Sequence, residues 1–154
     1  MTQVGEYEKS KKLENIPGLK KFKSSMKVRI IESSDAKIRQ TYGQNVIDTV
    51  CEKLKIPSVR LNVMSSPQKH RDNIKGNLQN KTLGTYSHRG NIPIGIRIYN
   101  LTAKRQQIVS GKTFFHTLLH ELCHHIDCVK LNFSHSPHTT GFYKRISYLE
   151  SLFE

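Results

Sequence analysis

The chain has 154 residues, enough for one domain with a real core and too few for two comfortable ones. Lysine and arginine number 25 against 12 aspartates and glutamates, a formal charge of +13 that attracts polyanions, nucleic acid first among them. No run of about eighteen apolar residues and no apolar segment behind the first lysines exists, and three cysteines without a Cys-x-x-Cys pair make no disulfide framework; neither a membrane span nor a secretory signal is read here, and a reducing, cytoplasmic or nucleoid location is expected.

Residues 1–27 hold seven lysines and three glutamates, broken by Ile16-Pro17-Gly18. They read as a basic N-terminal arm, mobile or draped on a domain formed by residues 28–154. Ser33 or Ser34 opens a predicted helix through about Lys55, with Ile38, Val46, Ile47, Val50, Cys51 and Leu54 along one side and Pro57 just past its end. Gly43 weakens the middle of that helix. Residues 59–63 alternate like a half-buried strand. Residues 65–82, with Pro67 and Gly76, read as a loop or hairpin connection.

Gly84-Thr85-Tyr86-Ser87 predicts a short strand, Gly90-Asn91 a turn, and residues 94–99 the clearest strand of the chain. The charge is uneven: from Pro57 to Lys112 ten basic residues face one acidic residue, Asp72. Two readings stay open for this stretch, a polyanion-binding surface and a lysine-rich solvated one. Its interleaved aromatics are Tyr86 and Tyr99, which do not make a stacking platform for single strands.

Residues 112–131, KTFFHTLLHELCHHIDCVKL, carry apolar residues at helical spacing from Phe114 to Ile126. Within them stands His120-Glu121-Leu122-Cys123-His124. On a helix, positions i and i+4 share a face, so His120 and His124 converge on one point. Two neutral imidazoles suit Zn²⁺, and Glu121 points to where an activated water would stand. An amphipathic core helix that happens to be rich in histidine is the plain alternative. Cys123 points away from the histidine face and reads as a small buried side chain, as does Cys51. His116 lies a full turn from the site and His125 faces sideways, so neither is a candidate ligand.

A catalytic zinc keeps three protein ligands and one open position. Downstream, His138 precedes Thr139 and Thr140, plausible caps for a last helix bearing Phe142, Ile146, Leu149 and Leu152. His138 is favoured as third ligand, Glu150 on that helix is the rival, and His135 is the weaker histidine. Asp127 is either a partner for the second nitrogen of a ligating histidine or a helix-surface carboxylate near Lys130. Tyr143 and Tyr148 are possible oxyanion donors and are left unassigned.

The run from His120 through Leu149 resembles the SprT-like metallopeptidases, the group that includes Spartan-type proteases of DNA–protein crosslinks. The resemblance covers about residues 94–150. It rests on HExxH followed by a His-x-x-x-Phe pattern, here His138 to Phe142. It implies Zn²⁺ held by His120, His124 and His138, with Glu121 as the catalytic residue. The fold expected is α+β: a small zincin-like domain, with a three- or four-stranded sheet beside the HExxH helix and an N-terminal and a C-terminal helix. Such a metal acidifies water to a pKa of about 7, Glu121 takes the proton as the water attacks a carbonyl, and the leaving amine receives it. Substrate would lie as an extended strand along the sheet edge formed by residues 84–99.

Three functional classes follow. The first is a zinc endopeptidase acting on protein or peptide substrates, DNA-associated ones included. The second is a basic nucleic-acid-binding domain with a purely structural zinc site. The third is a small interaction protein with neither activity.

Overall fold

A computed structural model describes residues 2–67, 69–72, 78–102 and 105–154. The elements are α1 (Gln3–Lys12), α2 (Ser25–Glu32), α3 (Ala36–Leu54), β1 (Leu61–Pro67), β2 (Lys69–Asp72), β3 (Leu78–Thr82), β4 (Gly84–Arg89), β5 (Ile92–Leu101), α4 (Gly111–Val129) and α5 (Thr140–Ser151). The architecture is α+β. Its main sheet is mixed, in the order β1-β5-β4, with β1 parallel and β4 antiparallel to β5. The connection expected over 65–82 contains a separate two-stranded pairing, β2-β3; Gly76 lies outside the described residues, as do Lys75 and Lys104 of the basic stretch.

Helix α4 is the centre of the molecule. Phe114, Phe115, Leu118, Leu119, Leu122 and Ile126 are all buried, facing α2, α3, α5 and the sheet. Against them lie Val46, Ile47 and Val50 from α3, Ile96 and Ile98 from β5, and Phe142, Ile146 and Leu149 from α5. The periodicity that predicts α3 and α5 is therefore the periodicity that buries them. Helix α3 runs unbroken through Gly43, and it starts at Ala36 because the Asp35 side chain accepts the Lys37 N–H at 2.7 Å. At the other end Lys55 takes the left-handed conformation that closes the helix.

Residues 1–27, expected as an arm, contain α1 and the start of α2. Ile16 and Leu19 belong to the main core, and α1 packs along α5 with Glu6 and Ser10 turned inward. Its buried face is polar, so no apolar stripe marks it in the sequence. The close approach has a specific requirement at Gly141. A Cβ there would stand 2.0 Å from the Ser10 carbonyl oxygen, so only glycine lets α1 lie against the first turn of α5. Among the described residues no helix is long and apolar enough to cross a membrane.

Candidate metal centre

Ser110 caps α4 by accepting the Thr113 N–H, and the helix then runs nineteen residues. This carries His120 and His124 onto one face at the end of the sheet. His138 comes from the loop ahead of α5, whose first turn is capped by the Thr139 hydroxyl accepting the Phe142 N–H at 3.0 Å. Each of the three histidines offers a ring nitrogen, and these nitrogens lie within 4.8 Å of one another. His124 Nε2 and His138 Nε2 are 3.0 Å apart. Ring centroids are separated by 4.9 to 5.1 Å.

Phe142 is the floor of this cluster. Its buried ring stacks on His124 at 4.6 Å and lies 5.1 Å from both His120 and His138. The His-x-x-x-Phe spacing thus has a local cause: the loop places His138, and the first turn of α5 brings Phe142 beneath all three rings.

Hydrogen bonds define the His124 tautomer. The Ser136 hydroxyl donates to Asp127 Oδ2 at 2.9 Å, so its oxygen is left to accept from His124 Nδ1 at 2.7 Å. A proton on Nδ1 leaves the Nε2 lone pair bare toward the other histidines. The two sequence readings of Asp127 place it directly against a histidine or on the helix surface. Instead it is fully buried and reaches His124 through Ser136, held by Arg145 at 2.9 Å. Burial pushes its carboxyl up to about 6 against the pull of Arg145, which still leaves a carboxylate at neutral pH.

Burial lowers His120 to about 4 and His124 to about 3, with neighbouring histidines adding to both shifts. Both rings are therefore neutral at physiological pH, the form that binds metal. The donor set fits zinc. Nitrogens at about 2.0–2.1 Å from a tetrahedral ion stand roughly 3.3 Å apart, near the separation of His124 and His138. Cys51, Cys123 and Cys128 are buried free thiols, and burial pushes each of them up, which makes them inert.

Glu121 is 6% exposed and lies beneath β4. Burial raises it to about 7, so near neutrality it can both take and give a proton. The strand above it needs a glycine: a Cβ on Gly84 would fall 2.9 Å from Thr117 Cγ2, 3.0 Å from the Arg97 oxygen and 3.4 Å from Glu121 Cγ. Beside Glu121 and His124 opens a cavity of about 270 Å³, walled by Thr85, Tyr86, His88, His135 and Ser136.

The other candidates are placed elsewhere. Glu150 lies 3.5 Å from His116 Nδ1, and neither joins the cluster. His135 is turned to Glu6, and His125 is buried between the Tyr86 hydroxyl and the Pro57 carbonyl. Tyr143 is half exposed with its ring 5.8 Å from His138, while Tyr148 packs on the core. Sequence reasoning missed Ser136, Arg145 and Glu6. Only Arg145 left a signal, a charge three residues from Phe142 on an otherwise apolar helix face, matched by Asp127 on the preceding helix.

Ser136 has φ +40° although it is not glycine, a left-handed conformation that costs about 1–3 kcal/mol. The loop is held in it by contacts on both its backbone and its hydroxyl. Compared with protein-family models, curated proteins and solved structures, the chain matches none.

Proposed function

We propose that the chain is a zinc-dependent endopeptidase of the zincin type, as the resemblance of its HExxH and His-x-x-x-Phe motifs to SprT-like enzymes implies. The observation that carries this reading is the pairing of three convergent imidazoles with a buried carboxylate that is adjacent to them and not one of them. A structural zinc site fills its fourth corner with a side chain; among the described residues no fourth His, Cys or carboxylate joins the group.

His120, His124 and His138 would hold the ion. When bound, zinc supplies Lewis acidity, acidifying water and polarising a carbonyl. Glu121 accepts the proton of the attacking water and passes it to the departing amine nitrogen. The Ser136–Asp127 relay keeps His124 in the tautomer that coordinates.

Strand β4 supports an extended peptide as substrate. Ile96 donates its N–H to Arg60 on the β1 side, and Tyr99 donates to the Leu83 oxygen on the β4 side. Alternation along the antiparallel ladder then leaves Gly84 and Tyr86 with backbone groups directed outward. Main-chain pairing along this edge would hold a substrate without reading its side chains. The +13 charge favours proteins that sit on a polyanion such as DNA, an attraction that weakens as salt rises.

The test is metal analysis together with cleavage of an unfolded protein substrate. The purified protein is expected to bind zinc and cleave; Glu121→Gln is expected to keep zinc and lose cleavage by about a hundredfold or more. A Glu121→Gln variant with zinc and full activity removes Glu121 as the base. A parent that takes up no zinc removes the whole reading.

A further inference from the structure

The loop that presents Ser136 and His138 has no regular secondary structure from Phe133 to its capping residue Thr139, apart from a turn at 134–135. Local bonds and Asp127 hold part of it, and a second set of contacts comes from the opposite end of the sequence. The Glu6 carboxylate, on α1, is buried at 3% side-chain exposure. Its Oε1 accepts the backbone N–H of His135 at 2.7 Å and, at 3.2 Å, shares that of Ser136 with the Phe133 oxygen, which accepts it at 2.9 Å. Its Oε2 accepts from His135 Nδ1 at 2.9 Å and from the Ser134 hydroxyl at 3.5 Å. One turn further along α1, the Ser10 hydroxyl meets Thr139 Oγ1 at 2.9 Å and accepts from Arg145 at 3.0 Å.

Two consecutive backbone N–H groups converging on one buried carboxylate form a small anion-binding nest. Here the anion is part of the same chain. The nest ends on Ser136, the residue in the left-handed conformation whose hydroxyl orients His124, and it stands two residues before His138.

We propose that Glu6 is a positioning residue of the metal centre: by binding the 135–136 backbone it sets the Ser136 hydroxyl against His124 and holds His138 over His120 and His124. This rests on the zinc reading given above. It also assigns the exposed imidazole of His135 a role other than ligation, as a cover over the buried carboxylate. The N-terminal residues 2–14 are accordingly part of the site and not an appendage to it.

The test compares Glu6→Ala, Glu6→Gln and the parent in zinc affinity, read by competition with a chelator. Two further readouts are the visible spectrum of the Co²⁺-loaded proteins and the melting temperature of the metal-free proteins. Glu6→Ala is expected to weaken zinc binding by about 10- to 100-fold, as loss of a group that orients a ligand does, and to distort the tetrahedral Co²⁺ bands. Glu6→Gln keeps an oxygen for the two amides and is expected to fall between parent and Glu6→Ala. A role confined to docking α1 would lower the metal-free melting temperature and leave the zinc affinity of the folded protein unchanged, which overturns the proposal. Should Glu6→Ala fail to fold, the isosteric Glu6→Gln decides by the same criterion, parental affinity overturning it. A parent that binds no zinc overturns this proposal and the zinc reading together; a parent that binds tightly beside an equally tight Glu6→Ala overturns this proposal alone.

Discussion

At the start of β1 the outward backbone groups meet side chains. Gln44 Oε1 accepts the Leu61 N–H at 2.8 Å and Gln40 Oε1 accepts the Val63 N–H at 2.7 Å, while the Gln44 amide nitrogen donates to the Val59 oxygen and that of Gln40 to the Leu61 oxygen. Two glutamines one turn apart on α3 thus stand in for a missing strand. Along β4, at the other edge, no strand or side chain among the described residues takes the outward groups of Gly84 and Tyr86. Proteins cover or blunt unpaired edges because such edges recruit other chains. The start of β1 is capped in this way, while the edge beside three histidines and a buried carboxylate is not, and under the proposed function that second edge is the one that receives substrate. The contrast predicts that damage at the two edges will have different symptoms.

The largest effect is expected at the open side. His138→Ala removes one of three ligands and should weaken zinc by on the order of a thousandfold, about a third of a typical zinc binding energy of 10–16 kcal/mol. Glu150→Ala should leave zinc in place, since that carboxylate is engaged with His116. Chelator competition on both variants checks this. Zinc retained in the first and lost in the second would move the metal to the other end of α5.

Next comes the strand itself. Gly84→Ala places a methyl 2.9 Å from Thr117 Cγ2 and against Glu121, and so lifts β4 from α4 directly over that carboxylate. Overpacking of this kind destabilises by about 1–3 kcal/mol. Cleavage should fall further than that, by about ten- to a hundredfold, because a misplaced edge misplaces the scissile bond. Steady-state kinetics beside a melting curve separate the two effects, and an activity loss no greater than the fraction unfolded would deny β4 its role.

The sealed edge should behave in the opposite way. Gln40→Leu with Gln44→Leu leaves the β1 groups at Val59, Leu61 and Val63 without their partners, at a loss of about 2 kcal/mol after water replaces part of what is removed. A melting temperature lower by roughly 4–8 °C and a tendency to self-associate are expected, with zinc affinity and cleavage per folded molecule unchanged. Loss of cleavage in this variant would mean that β1, not β4, receives substrate.

How much of this can be read from the sequence follows the range of the interactions. The convergence of His120 and His124 is set within one helical turn, and His138 is betrayed by the cap that follows it. Such local features have a period or a spacing. The Gln40–Val63 and Gln44–Leu61 bonds join an ordinary polar helix face to a strand some twenty residues on, and nothing in a run of polar residues announces them. The contact between Glu6 and His135 spans 129 residues. With glutamate, lysine and serine around it, α1 reads as a solvated arm because its buried face is hydrogen-bonded and not apolar. Asp127 is recognisable as a candidate partner for a ligand, yet its route through Ser136 depends on a loop conformation that no propensity predicts.

The smallest effect is a pH signature carried by the open side, to which the amide groups of Gln40 and Gln44 contribute nothing. In the metal-free protein His120 and His124 are lowered from 6.5 to about 4 and 3 by burial. Their contribution to stability is complete above pH 6.5 and is lost as the pH falls toward those values, since the unfolded chain then binds more protons. Glu121 has the opposite sign: raised from 4.5 to about 7, it contributes fully below pH 4.5 and loses that contribution as the pH rises through 7. Chemical denaturation of the metal-free parent and of Glu121→Gln between pH 4 and 8 isolates the glutamate, because every other group cancels in the difference. The parent should lose stability relative to the variant from about pH 4.5 upward, levelling off above 7. The Gln40→Leu/Gln44→Leu protein should give a curve parallel to the parent's and displaced downward. A flat difference for Glu121→Gln would mean that its carboxyl group is as well solvated in the folded chain as in the unfolded one, and that β4 does not bury it.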